Sequence, residues 1–297
     1  MNGSTQPPFP FVVGVSRSGT TLLRMMLDAH PSMAVPNETG FIAPLLASRW
    51  ARRRHRIAAT ITGFHTWPDL AMSAERFRRD VRALRPYSTA EAVRLFYRRY
   101  AEDHGKVRWA DKTPMYSQHM DGIEGMLPEA HFVHIIRDGR DVALSLRPTW
   151  FSPSQEVGAL ADHWARQIVA ARAAGARVAH YLEIRYEDLV LDAPSVLREV
   201  CDFVDLPYTD AMLDYTTTAR DRFREQSPHL LPGGVVVDVE KRWDIHRLTA
   251  EPPEPSRVGR WRHEMSPEAV RAFDERAGDL LRELGYDTAA ASSAHSP

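Results

Sequence analysis

The stretch Phe9-Pro10-Phe11-Val12-Val13-Gly14-Val15-Ser16-Arg17-Ser18-Gly19-Thr20-Thr21-Leu22-Leu23 constrains the fold more than any other part of the chain. Phe11 to Val15 is a short apolar run with β-branched residues, too short for a helix and suited to a buried strand. Ser16 to Gly19 is a loop of small residues around one arginine. Thr20 to Leu27 is nearly all apolar and reads as a helix that Pro31 stops. Strand, loop and helix in that order aim several backbone N–H groups at one point, and the helix dipole adds to them, which makes an anion site. The blander alternative is a Ser/Gly turn with a hydroxyl cap.

Gly14 and Gly19 have the spacing of the phosphate loop G-x-x-x-x-G-K-[ST], but Thr20 stands in the lysine position. Without that lysine, metal-assisted transfer of a γ-phosphoryl group is disfavoured. Arg17, with hydroxyls from Ser16, Ser18, Thr20 and Thr21, suits a 5′-phosphate ester that needs no metal.

The 297 residues are enough for one large α/β domain with insertions. A net charge of −1 exerts no general pull on nucleic acid or anionic membrane. The sequence holds no apolar run of membrane-spanning length and no signal-peptide pattern, so neither span nor leader is expected. Cys201 is the single cysteine; it lies in an apolar helical pattern and reads as a core residue. A reducing cytoplasm is the expected compartment.

Along the chain, Met33-Ala34-Val35 reads as a second strand ending at Glu38, and residues 106–110 as a third, leading into Asp111-Lys112. His131 to Ile136 is the clearest buried strand and ends in Arg137-Asp138-Gly139-Arg140-Asp141. Within it His131 and His134 read as packed residues on one face. Tyr181 to Tyr186 is a further strand, and helices are expected over 156–175, 194–204 and 267–284. Residues 41–105 contain no clear strand and read as a helical insertion, whose arginines at 49, 52, 53, 54 and 56 form a solvated face. Residues 205–255 are expected to form a long flap, polar and interrupted by Pro and Gly from 219 onward, and 287–297 a disordered tail. Alternating strands and helices imply a mostly parallel sheet covered on both faces, P-loop-like, in a single domain over 1–297.

Arg17 with its loop, Glu38, Asp111-Lys112, Arg137 and Tyr186 each fall at or just after the C-terminal end of an expected strand. In an open parallel sheet ligands bind outside that edge. The loop Ser16-Arg17-Ser18-Gly19-Thr20-Thr21-Leu22 resembles the 5′-phosphosulfate loop of sulfotransferases that use 3′-phosphoadenosine-5′-phosphosulfate (PAPS). Arg137-Asp138-Gly139-Arg140-Asp141-Val142-Ala143-Leu144-Ser145 resembles their 3′-phosphate segment, with Arg137 and Ser145 as the phosphate ligands. The run Gly14 to Pro31, followed by Glu38-Thr39, is most similar to the tyrosylprotein branch.

That resemblance implies PAPS as donor, 3′-phosphoadenosine-5′-phosphate (PAP) as product, and no metal. It makes Glu38 the catalytic base, with Arg17, Lys112 and Ser256 stabilising the transferring group. The nucleotide would be held by Arg17, Ser18, Gly19, Thr20, Thr21, Arg137, Ser145, Tyr186, Ser256, Gly259 and Arg260, the last three in a loop that closes over it. The expected acceptor is a hydroxyl or phenol on a small molecule, with a protein tyrosine as runner-up, no nucleic-acid partner, and a homodimer left open. The segments 41–105 and 205–255, where the resemblance is weak, are expected to choose the acceptor. The family's adenine-stacking aromatic after Thr20-Thr21 is missing here, as are the membrane anchor and disulfides of the Golgi enzymes.

Blander readings stand beside these. Glu38 would cap the next helix, Arg137 and Asp138 would be a surface ion pair, and Asp111 rather than Glu38 would be the base. At the level of the whole protein the alternatives are a small-molecule kinase with an atypical phosphate loop and a non-catalytic nucleotide-binding module.

Overall fold

The computed structural model describes residues 6–230 and 236–288. Strand β1 (Phe9–Gly14) runs through the small-residue loop into helix α1 (Thr20–Asp28), and β2 (Met33–Ala34) follows. Residues 41–105 carry α2 (Ile42–Ala47), α3 (Arg54–Thr62), α4 (Ala74–Ala83) and α5 (Thr89–Asp103), and no strand, as their sequence implied. The chain continues as β3 (Arg108–Trp109), β4 (Asp111–Lys112), α6 (Met120–Met126), β5 (Ala130–Ile136), α7 (Gly139–Leu146) and α8 (Val157–Gly175). After these come β6 (Tyr181–Arg185), α9 (Tyr186–Leu191), α10 (Ala193–Phe203), α11 (Thr216–Arg224), β7 (His229–Leu230) and β8 (Val236–Val237). Helices α12 (Val239–His246), α13 (Trp261–Glu264) and α14 (Pro267–Glu283) complete the described chain.

The central sheet has the order β4-β1-β5-β6 and is parallel throughout. Its pleat divides the core in two. Phe9, Phe11 and Val13 of β1 and Phe132 of β5 pack on one face beneath the helices of the insertion. Val12 of β1, with Val133 and Ile135 of β5, packs on the other face beneath α1, α9 and α10. Strands apolar on both faces are what a sheet sandwiched between helix layers requires, and each large side chain so buried contributes about 1.5–3 kcal/mol. A third cluster, around Ile136, Val142, Trp164 and Phe273, joins α7, α8 and α14 just beyond the C-terminal ends of the strands. No helix among the described residues is long and apolar enough to cross a membrane.

Four expectations need correction. The third strand is split: Arg108–Trp109 pairs with β2 in a separate two-stranded sheet, while Asp111–Lys112 pairs with β1. His131 and His134 do not share a face, because three residues along a strand reverse the pleat. His131 stacks on His180 with ring centroids 4.0 Å apart, whereas His134 is fully buried and its Nδ1 meets the Tyr181 hydroxyl at 2.6 Å. The described residues from 219 onward carry more helix than their polarity implied. They form most of α11 and all of α12, and Ala219, Phe223, Val237 and Ala250 among them are buried. The arginines near 50 are partly tied down: Arg54 donates to the carbonyls of Arg82 and Leu84, and Arg56 stacks on Trp50. The tail expected over 287–297 falls, from 289 on, outside the described residues.

Candidate functional site

A cavity of about 410 Å³ opens at the C-terminal edge of the sheet. It is of the size that small-molecule sites occupy. Its floor is the loop between β1 and α1. Gly19 sits there at φ 97°, and a Cβ on it would lie 2.4 Å from the Tyr186 ring, so only glycine fits. Arg17 also has a left-handed backbone, φ 73°, a strain of the kind found at ligand-binding loops. Its Nε donates to Ser145 Oγ at 3.0 Å and its Nη1 to the Ile245 carbonyl at 3.0 Å. The loop is thereby joined to α7 on one side and α12 on the other.

Arg137 follows directly on β5 and is almost wholly buried. Its guanidinium lies over the Tyr186 ring, 4.2 Å from the centroid, and donates to the carbonyls of Arg17 (3.2 Å) and Arg257 (2.9 Å). Its Nε is buried without a partner. It is not half of a surface pair with Asp138. That carboxylate instead caps α7, accepting from the Arg140 backbone N–H at 2.9 Å and from its guanidinium at 3.0 and 2.8 Å. Asp141, one turn into α7, accepts from the backbone N–H groups of Gly259 and Trp261, both at 2.9 Å, and lies 3.5 Å from Arg137. Those bonds hold the C-terminal loop against the cavity.

Across the floor, Lys112 Nζ donates to Glu38 Oε1 at 2.6 Å. Lys112 is buried and Glu38 is half-exposed, facing the cavity. Glu38 does not cap a helix, since α2 begins only at Ile42 and has no side-chain cap. Asp111 points the other way, as the strand alternation demands. It is fully buried, accepts from the hydroxyls of Thr39 and Tyr97 at 2.8 Å each, and does not line the cavity. Burial pushes its carboxyl up to about 6, against those two hydrogen bonds.

The cations crowd one another. Burial, then the charges of Arg137 and Arg260, lower Arg17 to about 10. Burial likewise lowers Lys112, against the pull of Glu38, and lowers Arg260 against that of Glu264. The Arg260 Nε is another buried donor without a partner. Desolvated cations with spare donors form a site that lacks negative charge.

Of the residues singled out from the sequence, Arg17, Gly19, Thr20, Thr21, Glu38, Lys112, Arg137, Ser145, Tyr186 and Arg260 line this one cavity. Three do not. Ser18 is turned into the protein, its Oγ buried and unbonded. Gly259 spends its N–H on Asp141, and Ser256 is exposed on the outer side of its turn. The structure also adds residues that no motif announced. Asp69 of the insertion and Arg242 of α12 form a bidentate pair, 2.9 and 2.6 Å, at the cavity wall. Asn37, Thr66, Gln226 and His246 line the same end. His246 lies against Phe223, and burial with the charges of Lys112 and Arg17 drives its pKa far down. Only Asn37, next to Glu38, had a neighbour that would have marked it.

Known proteins resemble this chain in sequence and in fold. The family model described as "Sulfotransferase family" matches residues 8–210. Protein-tyrosine sulfotransferase A of Caenorhabditis elegans is 26% identical over 94% of this chain and 67% of its own length. The chain spans 52–67% of the length of that relative and of the protein-tyrosine sulfotransferase of Drosophila melanogaster. Among solved structures, the sulfotransferase domain of the Synechococcus PCC 7002 olefin synthase superposes with a TM-score of 0.60 at 20% identity, covering 97% of this chain and 98% of that one. A mouse sulfotransferase complexed with PAP superposes with a TM-score of 0.50 at 17% identity, covering 94% and 86%. These likenesses bear on the fold.

Proposed function

The chain belongs to the sulfotransferase family, and on that footing we propose that it transfers a sulfuryl group from PAPS to a hydroxyl or phenol of a small molecule. The observation that carries the reading is the crowding of Arg17, Lys112, Arg137 and Arg260 around one cavity, with cations lowered by burial and buried donors left over. A nucleotide bearing phosphates at both the 3′ and 5′ positions relieves that excess at two separated points. Arg137, Ser145 and Arg260 suit the 3′-phosphate. Arg17, Thr20, Thr21 and the N–H groups that open α1 suit the 5′ end. The mouse sulfotransferase complexed with PAP, alike in fold, supports a nucleotide of that kind as the ligand.

PAPS supplies an activated sulfuryl group whose departure leaves PAP. The protein's part is to meet charge on the transferring group and to take the acceptor's proton. Lys112 and Arg17 suit the first task. Glu38 suits the second: it is the carboxylate that both faces the cavity and touches Lys112. Negative charge on the donor draws Lys112 toward it and releases Glu38 to act as base. Residues 41–105 and 205–255, which supply Asp69, Gln226 and Arg242, form the acceptor side.

The test is Glu38→Gln, with PAP binding followed by calorimetry and turnover by PAP release. Turnover is expected to fall about 10²–10⁴-fold while PAP affinity stays within a few-fold. A variant of near-normal turnover would remove Glu38 from the chemistry.

A further inference from the structure

The Glu38 end of the cavity carries side chains that phosphate binding does not use. Asn37, Thr66, Asp69 and Gln226 line it although each is at least nine-tenths buried. They come from three separate segments and are joined by hydrogen bonds. Asn37 Nδ2 donates to the Asp69 carbonyl at 3.4 Å, and Thr66 Oγ1 to the Thr39 carbonyl at 3.2 Å. Asp69 accepts from the Ser227 N–H at 2.8 Å and from Arg242. Gln226 Oε1, next to Ser227, is buried and receives no hydrogen bond. A buried acceptor left without a donor is destabilising, and a donor from a ligand would recover that cost.

Trp150, Phe151 and Tyr186 also line the cavity, the first two just after α7 and the third at the start of α9. A phenolic ring placed against Asn37, Thr66 and Gln226 would cover these polar groups while offering them a single hydroxyl.

We infer that the acceptor is a polyhydroxylated molecule of the saccharide kind, with Asn37, Thr66 and Gln226 reading hydroxyls that flank the one being sulfated. The inference rests on the sulfuryl-transfer reading above. The acceptor oxygen forms its bond to sulfur as the bond from sulfur to the phosphate of PAP breaks, and its proton goes to Glu38. No further reactant is needed. Sites built to hydrogen-bond a substrate hydroxyl discriminate strongly against analogues that lack it.

The experiment compares methyl glycosides of common hexoses with p-nitrophenol and a tyrosine-containing peptide, using labelled PAPS and counting sulfated product. The best glycoside is expected to exceed both phenols by at least about tenfold in kcat/KM. Gln226→Leu is expected to raise KM for that glycoside about tenfold, with PAP affinity within twofold. Thr66→Val, nearly isosteric, is expected to act in the same direction and serves if Gln226→Leu does not fold. Preference for p-nitrophenol or the peptide overturns the inference, as does a glycoside KM that neither variant moves. Calorimetry with PAP separates the two levels. Failure of the wild-type chain to bind PAP overturns sulfuryl transfer itself, whereas PAP binding with phenol preference overturns only the saccharide acceptor.

Discussion

Asp141→Asn tests how the C-terminal loop is held over the nucleotide end of the site. The Asp141 carboxylate is fully buried and accepts from two backbone N–H groups, Gly259 and Trp261, on its two oxygens. Asparagine keeps the shape but can accept from only one of them, and turns an N–H donor toward the other. Each hydrogen bond to a charged group is worth about 1.5–3 kcal/mol, and Arg137, 3.5 Å away, also loses its counter-ion. Against this stands a gain. Burial is the largest influence on Asp141 and pushes its carboxyl up, so removing the charge removes a desolvation cost. The expected net loss is about 2–3 kcal/mol, confined to the loop that carries Arg257 and Arg260. Hydrogen exchange should show faster exchange over residues 257–264, and calorimetry a PAP affinity about 10–100-fold weaker. Unchanged protection and unchanged affinity would refute the clamp. Tighter PAP binding would refute it differently, by showing that the carboxylate acts chiefly as a charge repelling the phosphate.

Three further outcomes are expected. Arg137→Ala should erase the preference for PAP over AMP, leaving AMP affinity within a few-fold by calorimetry; equal loss for both ligands would move the 3′-phosphate elsewhere. Asp69→Ala strands the Arg242 guanidinium at the cavity wall and should cost about 3–5 kcal/mol in urea unfolding, as breaking a buried ion pair does; a loss under about 1 kcal/mol would mean that the flap is held by other contacts. The Asp111 carboxyl, raised by burial from 3.8 to about 6, keeps its proton in the folded chain over a range where the unfolded chain has lost it. Its contribution to stability is therefore present below pH 4 and lost as pH rises to about 6, a change of about 3 kcal/mol. Asp111→Asn should lack that component, so the stability of the variant relative to wild type should rise over this interval; a pH-independent difference would refute it.

The sequence by itself determined whatever depends on neighbours along the chain. The strand–loop–helix at Phe11 to Leu27 was legible because burial, loop flexibility and helix periodicity are local properties, and α1 begins at Thr20 as they imply. Arg137 and Ser145 were legible for the same reason, since a strand end and the first two turns of the next helix have fixed relative positions. Glu38 and Lys112 were each expected near a strand, and they meet from 74 residues apart although β2 and β4 lie in different sheets. The tertiary structure alone decided which residues of the insertion and of the segment after α11 reach the cavity wall. Gln226 and Arg242 lie in a polar segment with no motif to mark them, and Asp69 stands alone among apolar neighbours; the ion pair that joins Asp69 to Arg242 spans 173 residues. The tertiary structure also set the surroundings of Glu38 and Asp111 apart. Both are carboxylates at strand ends, but the pleat sends Lys112 into the cavity and Asp111 to the hydroxyls of Thr39 and Tyr97. Ser256 shows the converse: a family-like position in the sequence whose side chain is exposed, because the Gly259 and Trp261 amides anchored on Asp141 fix how that turn lies. Which way a side chain faces at a long-range junction depends on what packs behind it, and no stretch of sequence carries that alone.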